Sequence, residues 1–292
     1  MLARKMKRVI VFGASGQLGQ CFKKIAGNNN LDFLIFPTEN EANILDVAGL
    51  ESVFARHEPT HVINCAAYTA VDKAEDDEET ASLVNKTGVE NLGRLCFTYK
   101  TTLIQVSTDF VFAGDKTKPL TEDDEAAPIN VYGQTKLDGE LVIPGLLGHY
   151  FILRTAWLYS EFGNNFVKTM LKLGAERDLL KVISDQVGTP TYAMDLADAI
   201  INIITSDSKE YGIYHYSNEG VASWYDFSKA IFDLSATEVK VLPVPTSEYV
   251  TRAVRPAYSV MDKAKIKRIF NIEIPYWRDS LAICIDKLKQ QN

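Results

Sequence analysis

The sequence predicts an α/β protein built on a doubly wound parallel sheet, with a smaller lobe in its C-terminal half. Over residues 7–154, short runs of apolar and β-branched residues, typical of buried parallel strands, alternate with segments long enough for helical crossovers. Beyond residue 159 the alternation loosens, and prolines mark frequent loops: Pro243, Pro245, Pro256 and Pro275. The first half is therefore expected to form the sheet, and the second half most of the smaller lobe.

The first half supplies the strands and their crossovers in order. Strands are expected over residues 7–12, 33–36, 61–65, 102–107 and 150–154. Helices are expected from about residue 17 and over residues 47–57, 78–99 and 131–142. Acidic residues at positions 76–79 stand at the start of one of these helices, where they favour its positive end. Helix capping is therefore their expected role, with metal binding as the alternative.

The second half carries a less regular pattern. Strands are expected over residues 181–184, 211–217 and 239–244, and helices over residues 166–173, 195–204 and 283–289. The helix near residues 192–206 is long and apolar enough to pack back on the sheet. The boundary between the two lobes is therefore expected to be interleaved, without a single cut.

Composition and charge exclude several classes of function. The chain has 292 residues, 46% hydrophobic and 24% charged, so it can bury a substantial core. Its formal charge of −7 argues against binding to nucleic acid or to an anionic membrane, because such proteins concentrate Lys and Arg. We expect a cytoplasmic protein, since neither a membrane-spanning stretch nor a secretory signal is visible. The cysteines lack a C-x-x-C pair and are expected to be free and mostly buried: Cys21, Cys65, Cys96 and Cys284.

A glycine-rich turn, G-x-x-G-x-x-G, lies between the first predicted strand and the first predicted helix. Glycines in such a turn allow a tight bend, a close approach of backbone to phosphate and close packing of helix on strand. The helix start adds free N–H groups and a positive dipole end, which together bind anions. The spacing differs from G-x-G-x-x-G, and such a turn can also simply join a strand to a helix. Its position favours a Rossmann-type dinucleotide site with contacts from Gly13, Ser15, Gly16, Gln17, Leu18 and Gly19.

The residues after the second strand bear on the choice between NAD and NADP. An acidic residue about 20 positions after the turn binds the ribose hydroxyls of NAD, whereas a basic residue suits the NADP phosphate. Glu39 stands there without a basic neighbour, which hints at NAD and leaves the choice open. Asp46 could accept a hydrogen bond from the adenine amino group or cap the next helix. Val47, which follows it, is also assigned to the cofactor.

Tyr132 and Lys136 stand four residues apart, on one face of a predicted helix. A surface cation–aromatic pair would have the same spacing. In the functional interpretation, Lys136 lowers the pKa of Tyr132 from about 10, so that the phenol can give a proton to a substrate oxygen. Thr108 ends the fourth strand, at the edge where ligands gather in open α/β sheets, and its hydroxyl can hold the same oxygen. Thr108, Tyr132 and Lys136 are the candidate catalytic residues.

The glycine turn, the hydroxyl residue after the fourth strand and Y-x-x-x-K together resemble the extended short-chain dehydrogenase/reductase family. Its members are Rossmann proteins that act largely on nucleotide sugars. Further segments resemble one subgroup of this family and cover nearly the whole chain: residues 65–75, 107–112, 130–136, 154–157, 185–191 and 255–256. The motifs assign residues 1–157 to an NAD(P)-binding Rossmann domain that carries the catalytic residues, and residues 158–292 mainly to a substrate-binding lobe.

The resemblance also assigns residues to the two ligands. Those expected to line the cofactor follow the third strand: Ala66, Ala67, Tyr68 and Thr69. Those expected to face the nucleotide sugar are Val71, Asp109, Phe110 and Trp157. Members of the subgroup often carry Tyr at the position of Phe110. The missing hydroxyl weakens the case for a sugar hydrogen bond there, although the ring can still pack on the ligand.

Three substrate candidates carry alternative interpretations. Trp157 can stack on the sugar, pack in the core, or do both. Gln186 lies in a loop that could donate to a diphosphate or nucleoside, or could simply begin the next helix. Arg255 suits a diphosphate because its planar fork matches phosphate geometry, and the alternative is an ordinary surface arginine.

The resemblance implies reduction of the C4 keto group of dTDP-4-dehydro-6-deoxy-L-mannose, a nucleotide sugar, to give dTDP-L-rhamnose. NADPH is the expected cofactor, with NADH as the alternative. Two other functions stay open: another nucleotide-sugar 4-ketoreductase or epimerase, and a non-catalytic subunit resembling the regulatory beta subunit of methionine adenosyltransferase. The three candidate catalytic residues together favour an enzyme. Some members of the subgroup hold magnesium at a subunit contact, so Mg²⁺ and a homodimer also stay open.

Overall fold

A computed structural model describes residues 7–38, 40–41 and 43–291 of the chain. The strands are β1 (Val9–Phe12), β2 (Leu34–Ile35), β3 (His61–Asn64), β4 (Thr102–Thr108), β5 (Tyr150–Thr155), β6 (Leu158–Tyr159), β7 (Leu179–Ile183), β8 (Val187–Gly188), β9 (Thr191–Tyr192), β10 (Gly212–His215), β11 (Ala222–Ser223) and β12 (Lys240–Val244). The helices are α1 (Gln17–Asn29), α2 (Val47–His57), α3 (Val71–Ala74), α4 (Glu78–Ser82), α5 (Gly88–Tyr99), α6 (Val131–Leu146), α7 (Phe166–Glu176), α8 (Ala193–Thr205), α9 (Trp224–Ser235), α10 (Ala264–Phe270) and α11 (Trp277–Gln291).

The centre of the molecule is a six-stranded parallel sheet in the order β10-β5-β4-β3-β1-β2. From β1 the chain winds to one edge through β2 and to the other through β3, β4 and β5, which confirms the predicted doubly wound sheet. β10 completes the sheet by pairing with β5, with Gly212 opposite Phe151. The sequence predicts a strand there but not its partner, because strand pairing depends on residues distant in the chain.

Two apolar cores cover the two faces of the sheet. On one face, α2, α5 and α6 pack around Leu50, Leu92 and Ile143. On the other face, α1 and α8 pack against each other and against the sheet. The second core continues into the C-terminal helices as far as Trp277 and Leu281. The C-terminal half and this face of the sheet therefore share one continuous core.

The single helix expected over residues 78–99 is wrong in detail. α4 and α5 are separated by a π-helical turn, Leu83–Thr87. Helix α6 passes against this turn at Gly139, where a Cβ would lie 2.1 Å from the carbonyl oxygen of Asn85. A π turn is frequent at functional sites, and its wider bend turns the Asn85 side chain towards the interior, where it is buried.

No helix is predicted over residues 224–235, where α9 lies. Its start carries a recognisable signal, because Ser223 and Asp226 form a reciprocal capping box. Helix α6 also runs past its predicted end at residue 142 and includes Pro144. Local signals near caps and prolines thus place the ends of these helices only approximately.

The four cysteines are free, and Cys21, Cys96 and Cys284 are buried. Burial raises the pKa of the Cys21 thiol to about 12, so it stays protonated and unreactive at neutral pH. No helix in the described part of the chain is long and apolar enough to cross a membrane.

Candidate active site

The carboxyl ends of β1, β3 and β4 meet at one edge of the sheet, where the glycine turn, the loop after Asn64 and the turn Asp109–Val111 lie side by side. Ligands of open α/β sheets bind at this edge. Most of the residues that the sequence selects are located here, and each is positioned by a close backbone approach or a buried hydrogen bond.

Two glycines of the turn are required by close contacts. Gly13 has a φ of +75°, and a Cβ there would lie 2.5 Å from the backbone nitrogen of Ala66. A Cβ on Gly19 would lie 2.3 Å from the carbonyl oxygen of Gly13. These distances are shorter than real Cβ contacts, so the turn and the start of α1 can pack this closely only with glycine.

A cavity of about 340 Å³ opens beside this turn. It is lined by Gly13, Ser15, Gly16, Asn43, Ile44, Leu45, Cys65, Ala66, Ala67 and Val84. The start of α1 faces solvent here at Ser15 and Gly16, without a side-chain cap and without an acidic residue in its first turn. Uncapped N–H groups beside apolar walls fit a dinucleotide, whose diphosphate binds the helix start and whose adenine packs on apolar atoms.

Five residues of this cavity are not predicted from the sequence to bind the cofactor: Asn43, Ile44, Leu45, Cys65, which directly follows β3, and Val84. The first three follow the region of β2 and the last belongs to the π-helical turn. No local signal identifies these four, because they reach the cavity only through the packing of helices on the sheet.

Other predicted cofactor residues have structural contacts of their own. The Gln17 amide donates to the Leu158 carbonyl at 3.1 Å and accepts from the Asn165 amide at 2.9 Å, and Leu18 is buried in the core. Asp46 caps α2 by accepting from the Gly49 N–H at 3.2 Å, while Val47 is 45% exposed. The capping role expected for Asp46 is thus present, and its adenine contact stays a prediction. Glu39 lies outside the described residues.

The Asn85 side chain joins the loop after β3 to helix α6. The Asn85 side chain accepts from the Tyr68 N–H at 2.9 Å and donates to the Tyr68 carbonyl at 3.1 Å and to the Thr135 hydroxyl at 3.1 Å. It therefore holds both peptide groups of Tyr68 against the residue that precedes Lys136. Thr69 is exposed on the same loop, and Val71 begins α3 just beyond it. The sequence does not predict this role of Asn85, because the residue lies inside the single helix expected over residues 78–99.

The structure brings Thr108, Tyr132 and Lys136 together. The Thr108 hydroxyl donates to the Asp109 carboxylate at 3.1 Å, accepts from the Phe110 N–H at 3.2 Å and lies within hydrogen-bonding reach of the Tyr132 phenol. The Lys136 ammonium is buried and donates to the Val106 carbonyl at 2.7 Å. A hydroxyl, a phenol and an ammonium thus share the carboxyl end of β4.

The expected lowering of the Tyr132 pKa by Lys136 is wrong for the protein by itself. Desolvation raises the pKa of Tyr132 to about 12, the nearby charge of Asp109 acts in the same direction, and the hydrogen bond with Thr108 opposes them. The Lys136 ammonium is bound to a backbone carbonyl of β4. The phenol therefore carries its proton at neutral pH, which is the state that a proton donor requires.

Asp109 is a buried carboxyl group beside Thr108, only 2% exposed. Burial raises its pKa to about 6, although hydrogen bonds from Ser259 and Thr108 favour the ionised form. Ser259 comes from the C-terminal half, so Asp109 interacts with residues of both halves of the chain. A carboxyl group with a raised pKa at such a place is typical of functional sites.

The start of α6 is fixed by three contacts. The Asn130 side chain caps the helix at the Gly133 N–H, at 2.7 Å, and donates to the Val254 carbonyl at 2.8 Å. Glu75 accepts from the Val131 N–H at 2.9 Å. A Cβ on Gly133 would lie 2.2 Å from the carbonyl oxygen of Phe110, so α6 can approach this turn only with glycine. Asparagine before a predicted helix is the signal that could have identified this cap.

The aromatic candidates are packed against other rings. Phe110 lies edge-on to Tyr132, with ring centroids 5.6 Å apart. Trp157 stacks on Trp224 with centroids 3.5 Å apart and planes 8° from parallel. One face of Trp157 is therefore covered by protein, so only its other face or its edges are available to a sugar.

Gln186 and Arg255 are engaged with other residues. Gln186 is buried and donates to the Thr246 hydroxyl at 3.1 Å. Arg255 forms a two-point ion pair with Asp72 of α3, at 2.7 and 3.1 Å. No described contact brings Gln186 next to Thr108, Tyr132 or Lys136. Arg255 is joined to α3 by its ion pair with Asp72.

No group of three or more His, Cys, Asp or Glu side chains within residues 7–38, 40–41 and 43–291 is arranged to hold a metal ion.

Comparison with known proteins gives consistent results over nearly the whole chain. The family described as RmlD substrate binding domain matches residues 6–290. A dTDP-4-dehydrorhamnose reductase of Aggregatibacter actinomycetemcomitans is 39% identical over 286 residues, covering 94% of this chain and 97% of that protein.

Two solved structures are similar to the chain throughout. One is a dTDP-4-dehydrorhamnose reductase, RfbD ortholog, of Clostridium acetobutylicum, with a TM-score of 0.91 at 40% identity, covering 97% of this chain and 99% of that chain. The other is the dTDP-4-dehydrorhamnose reductase of Bacillus anthracis in complex with NADP, with a TM-score of 0.92 at 38% identity, covering 97% and 100%.

Proposed function

Because the chain belongs to the RmlD substrate binding domain family, within the extended short-chain dehydrogenases/reductases, we propose that it is a dTDP-4-dehydrorhamnose reductase. It is an NAD(P)H-dependent oxidoreductase that reduces the C4 keto group of dTDP-4-dehydro-L-rhamnose to give dTDP-L-rhamnose. The observation that carries this proposal is the convergence of Thr108, Tyr132 and Lys136 at the same edge of the sheet as the cavity at the glycine turn.

The cavity at the glycine turn is the proposed cofactor site. The Ser15 N–H and the uncapped N–H groups at the start of α1 would bind the diphosphate, while the Gly16 N–H donates to the Gly13 carbonyl at 3.0 Å. Ala66 and Ala67 would line the opposite wall. NADPH is the proposed cofactor, with NADH as an alternative, because no described residue after β2 decides between them. The bound cofactor supplies the hydride, and the protein supplies position and charge.

Tyr132 is the proposed proton donor. Reduction adds a hydride to C4 and a proton to the carbonyl oxygen, so the product gains one C–H and one O–H bond. The phenol is protonated at neutral pH, since the pKa of Tyr132 is raised to about 12. Thr108, within reach of that phenol, holds the same oxygen, and the buried Lys136 ammonium would hydrogen-bond the nicotinamide ribose. Solvent returns the proton to Tyr132 before the next turnover.

Substrate contacts are assigned to both halves of the chain. On the sheet side we propose Asp109 and Phe110, which contact Thr108 and Tyr132, and Val71, which begins α3. We also propose Trp157, together with Gln186 and Arg255. For the last two to bind a diphosphate, they must exchange their present partners, Thr246 and Asp72, for phosphate oxygens.

The test is a turnover assay with NADPH and with NADH. The substrate is made from dTDP-glucose by dehydration and 3,5-epimerisation, and oxidation of the nicotinamide is followed by its absorbance. We expect one cofactor oxidised per ketosugar and an L-rhamnose configuration in the product by NMR. Turnover confined to a different dTDP-4-ketosugar would point to another ketoreductase. A complete lack of oxidation together with tight binding to a protein partner would point to a regulatory subunit.

A cytoplasmic location and assembly into a homodimer are further proposals. The dimer is tested by light scattering across a concentration series, and a single mass equal to one chain of 32.6 kDa would contradict it.

A further inference from the structure

A buried ion pair joins helix α6, which carries Tyr132 and Lys136, to strand β5. Glu140 of α6 accepts three hydrogen bonds from Arg154 of β5: from Nε to Oε1 at 3.0 Å, from Nε to Oε2 at 3.1 Å and from Nη2 to Oε2 at 2.7 Å. The two side chains are 2% and 4% exposed. Neither residue is used in the proposed reaction.

Stability alone does not explain this pair. Two charges lose much of their hydration when buried, and apolar residues of similar volume often replace such a pair without loss of stability. The pairing is also incomplete, because Nη1 of Arg154 is buried without a hydrogen-bond partner in the described structure. The guanidinium is instead covered by the Phe112 ring, 5.0 Å from its centroid. A function near the pair gives a better account of its presence.

The pair is next to Lys136 along both the helix and the sheet. Glu140 follows Lys136 by one helical turn on the same face. Arg154 lies beside Ser107 in the sheet, and the preceding residue, Val106, accepts the hydrogen bond of the Lys136 ammonium at 2.7 Å. Two cations and one anion thus share this buried region. Without the carboxylate, the region would hold two uncompensated positive charges.

We propose that Glu140, held in place by Arg154, is a positioning residue for the reaction: its carboxylate keeps the Lys136 ammonium protonated and aligned on the Val106 carbonyl. The proposal rests on the proposed function, because that function needs Lys136 in its charged form. Arg154 acts on Glu140 alone, by fixing the carboxylate in one orientation.

The charges around Lys136 agree with this role. Burial lowers the pKa of Lys136 to about 8, and the charge of Glu140 opposes that effect. The nearby Cys65 thiol is uncharged, because burial raises its pKa. Asp109 and Tyr132 lie further along the same edge. The helices packed on the other side of α6 carry charged residues that are partly or fully exposed: Asp72, Glu75, Glu78, Glu79, Lys86 and Glu90. Glu140 is therefore the main buried anion that faces this ammonium.

The experiment compares wild type with Glu140→Gln across pH. Removing the carboxylate lowers the pKa of Lys136 further, so activity that needs the ammonium is lost at a lower pH. We expect the alkaline limb of kcat to move down by about one pH unit, which is about a fivefold loss at pH 8 that is largely recovered near pH 6. A loss of equal size at every pH, with the limb unmoved, would mean a structural role and would overturn the proposal.

Two further variants control for folding. Glu140→Gln leaves the Arg154 charge unpaired, which can impair folding. The double variant Glu140→Gln/Arg154→Met removes both charges, so the carboxylate is absent and no charge is left unpaired. The alkaline limb of kcat should be shifted in this variant too. Glu161→Gln is the matched control, because Glu161 is a 2% exposed carboxylate that faces Lys287 at 3.5 Å and the Tyr192 hydroxyl at 2.9 Å. This control should lose stability without any shift of the limb.

A measurement independent of turnover separates the two proposals. Lysine labelled with ¹³C at its ε-carbon is titrated by NMR in the full chain, and the Lys136 signal is identified by its loss in Lys136→Met. A downward shift of the Lys136 pKa in Glu140→Gln supports the positioning role even if the ketosugar is not turned over. An unchanged Lys136 pKa overturns it even if the reductase assignment is correct.

Discussion

The edge of the sheet that carries the candidate catalytic residues and the loops of the C-terminal half are held by different kinds of contact. The catalytic edge, defined by Gly13, Asn85, Thr108 and Gly133, is held by backbone approaches and buried hydrogen bonds. At Gly13 and Gly133, even one added carbon atom would lie within 2.5 Å of the neighbouring backbone. Proton and hydride transfer require the reacting groups to be held at well-defined distances, and a closely packed edge maintains such distances.

The substrate-side loops, defined by residues 185–186, 246 and 252–255, are held by side-chain pairs. Arg255 pairs with Asp72, whose side chain is 48% exposed, and Arg252 pairs with Asp76 at the surface. Exposed pairs of this kind contribute little to stability, so a charged ligand can exchange them. The proposed chemistry thus lies on the closely packed edge, and the proposed substrate binding depends on contacts that can change partners.

The largest effect is expected from Tyr132→Phe, which tests whether the chemistry lies wholly on the catalytic edge. Without the phenol no proton donor stands beside the carbonyl oxygen, so turnover should fall by about 10²- to 10⁴-fold. NADPH affinity, measured by fluorescence titration, should stay within about twofold of wild type, because the ring still packs against Phe110. Retention of more than a tenth of the turnover would remove Tyr132 from this role.

The next effect tests whether backbone contacts hold the edge. Gly19→Ala places a Cβ 2.3 Å from the Gly13 carbonyl oxygen, which side-chain movement cannot relieve. We expect a loss of about 3 kcal/mol in the free energy of unfolding by urea, with weaker NADPH binding.

The matched control is Gly27→Ala, in the same helix, where an added Cβ meets nothing within 4 Å. It should stabilise the protein by about 0.5 to 1 kcal/mol, because Ala favours the helix interior. Equal effects of the two substitutions would contradict the contrast between a closely packed turn and an open helix surface.

Asp109→Asn tests whether the buried carboxylate of the catalytic edge lowers the free energy of unfolding. The pKa of Asp109 is about 6 in the folded protein, above its value of about 3.9 in an unfolded chain. The folded state thus binds the proton more tightly, and stability falls as pH rises from about 4 to 6. We expect Asn to stabilise the protein by about 2 kcal/mol at pH 7 and by nearly nothing at pH 4, measured by urea unfolding.

Turnover should fall in the same Asp109→Asn variant, because the carboxylate is assigned to the nucleotide sugar. If the variant is no more stable than wild type at pH 7, then burial does not penalise this carboxylate. If turnover is unchanged, then the carboxylate makes no productive contact with the substrate.

The smallest effect is expected on the substrate side, from Asp72→Asn. Loss of this partner frees Arg255 for the diphosphate, so the KM for the ketosugar should fall by about twofold to fivefold, in line with the strength of an exposed pair. Stability should change by less than about 1 kcal/mol.

Arg255→Ala should instead raise the KM with little change in kcat. Arg252→Ala is the control, since Arg252 pairs with Asp76 at the surface and is given no ligand. A higher KM in Asp72→Asn would mean that the ion pair itself shapes the site, and the idea of exchangeable partners would then be wrong.

The sequence predicts the catalytic edge better than the substrate-side loops. The turn at Gly13, the hydroxyl of Thr108 and the pair Tyr132 and Lys136 follow from short motifs on predicted elements, and the structure brings them together. Asn85 escapes prediction because a π-helical turn, which has no local signature here, points it inward. The assignment of Arg255 to the diphosphate could not anticipate that its present partner is Asp72.

The sequence by itself determined the parallel sheet, the dinucleotide turn and the catalytic helix, because strand and helix periodicities and glycine spacing act over short stretches of chain. Tertiary structure alone decided that β10 completes the sheet and that Asn85 clamps the loop of Tyr68 to the catalytic helix. It also decided that Arg255 meets Asp72, 183 residues away. Such contacts depend on how distant segments pack, and no local pattern of residue types records which distant partner a buried or paired side chain will find.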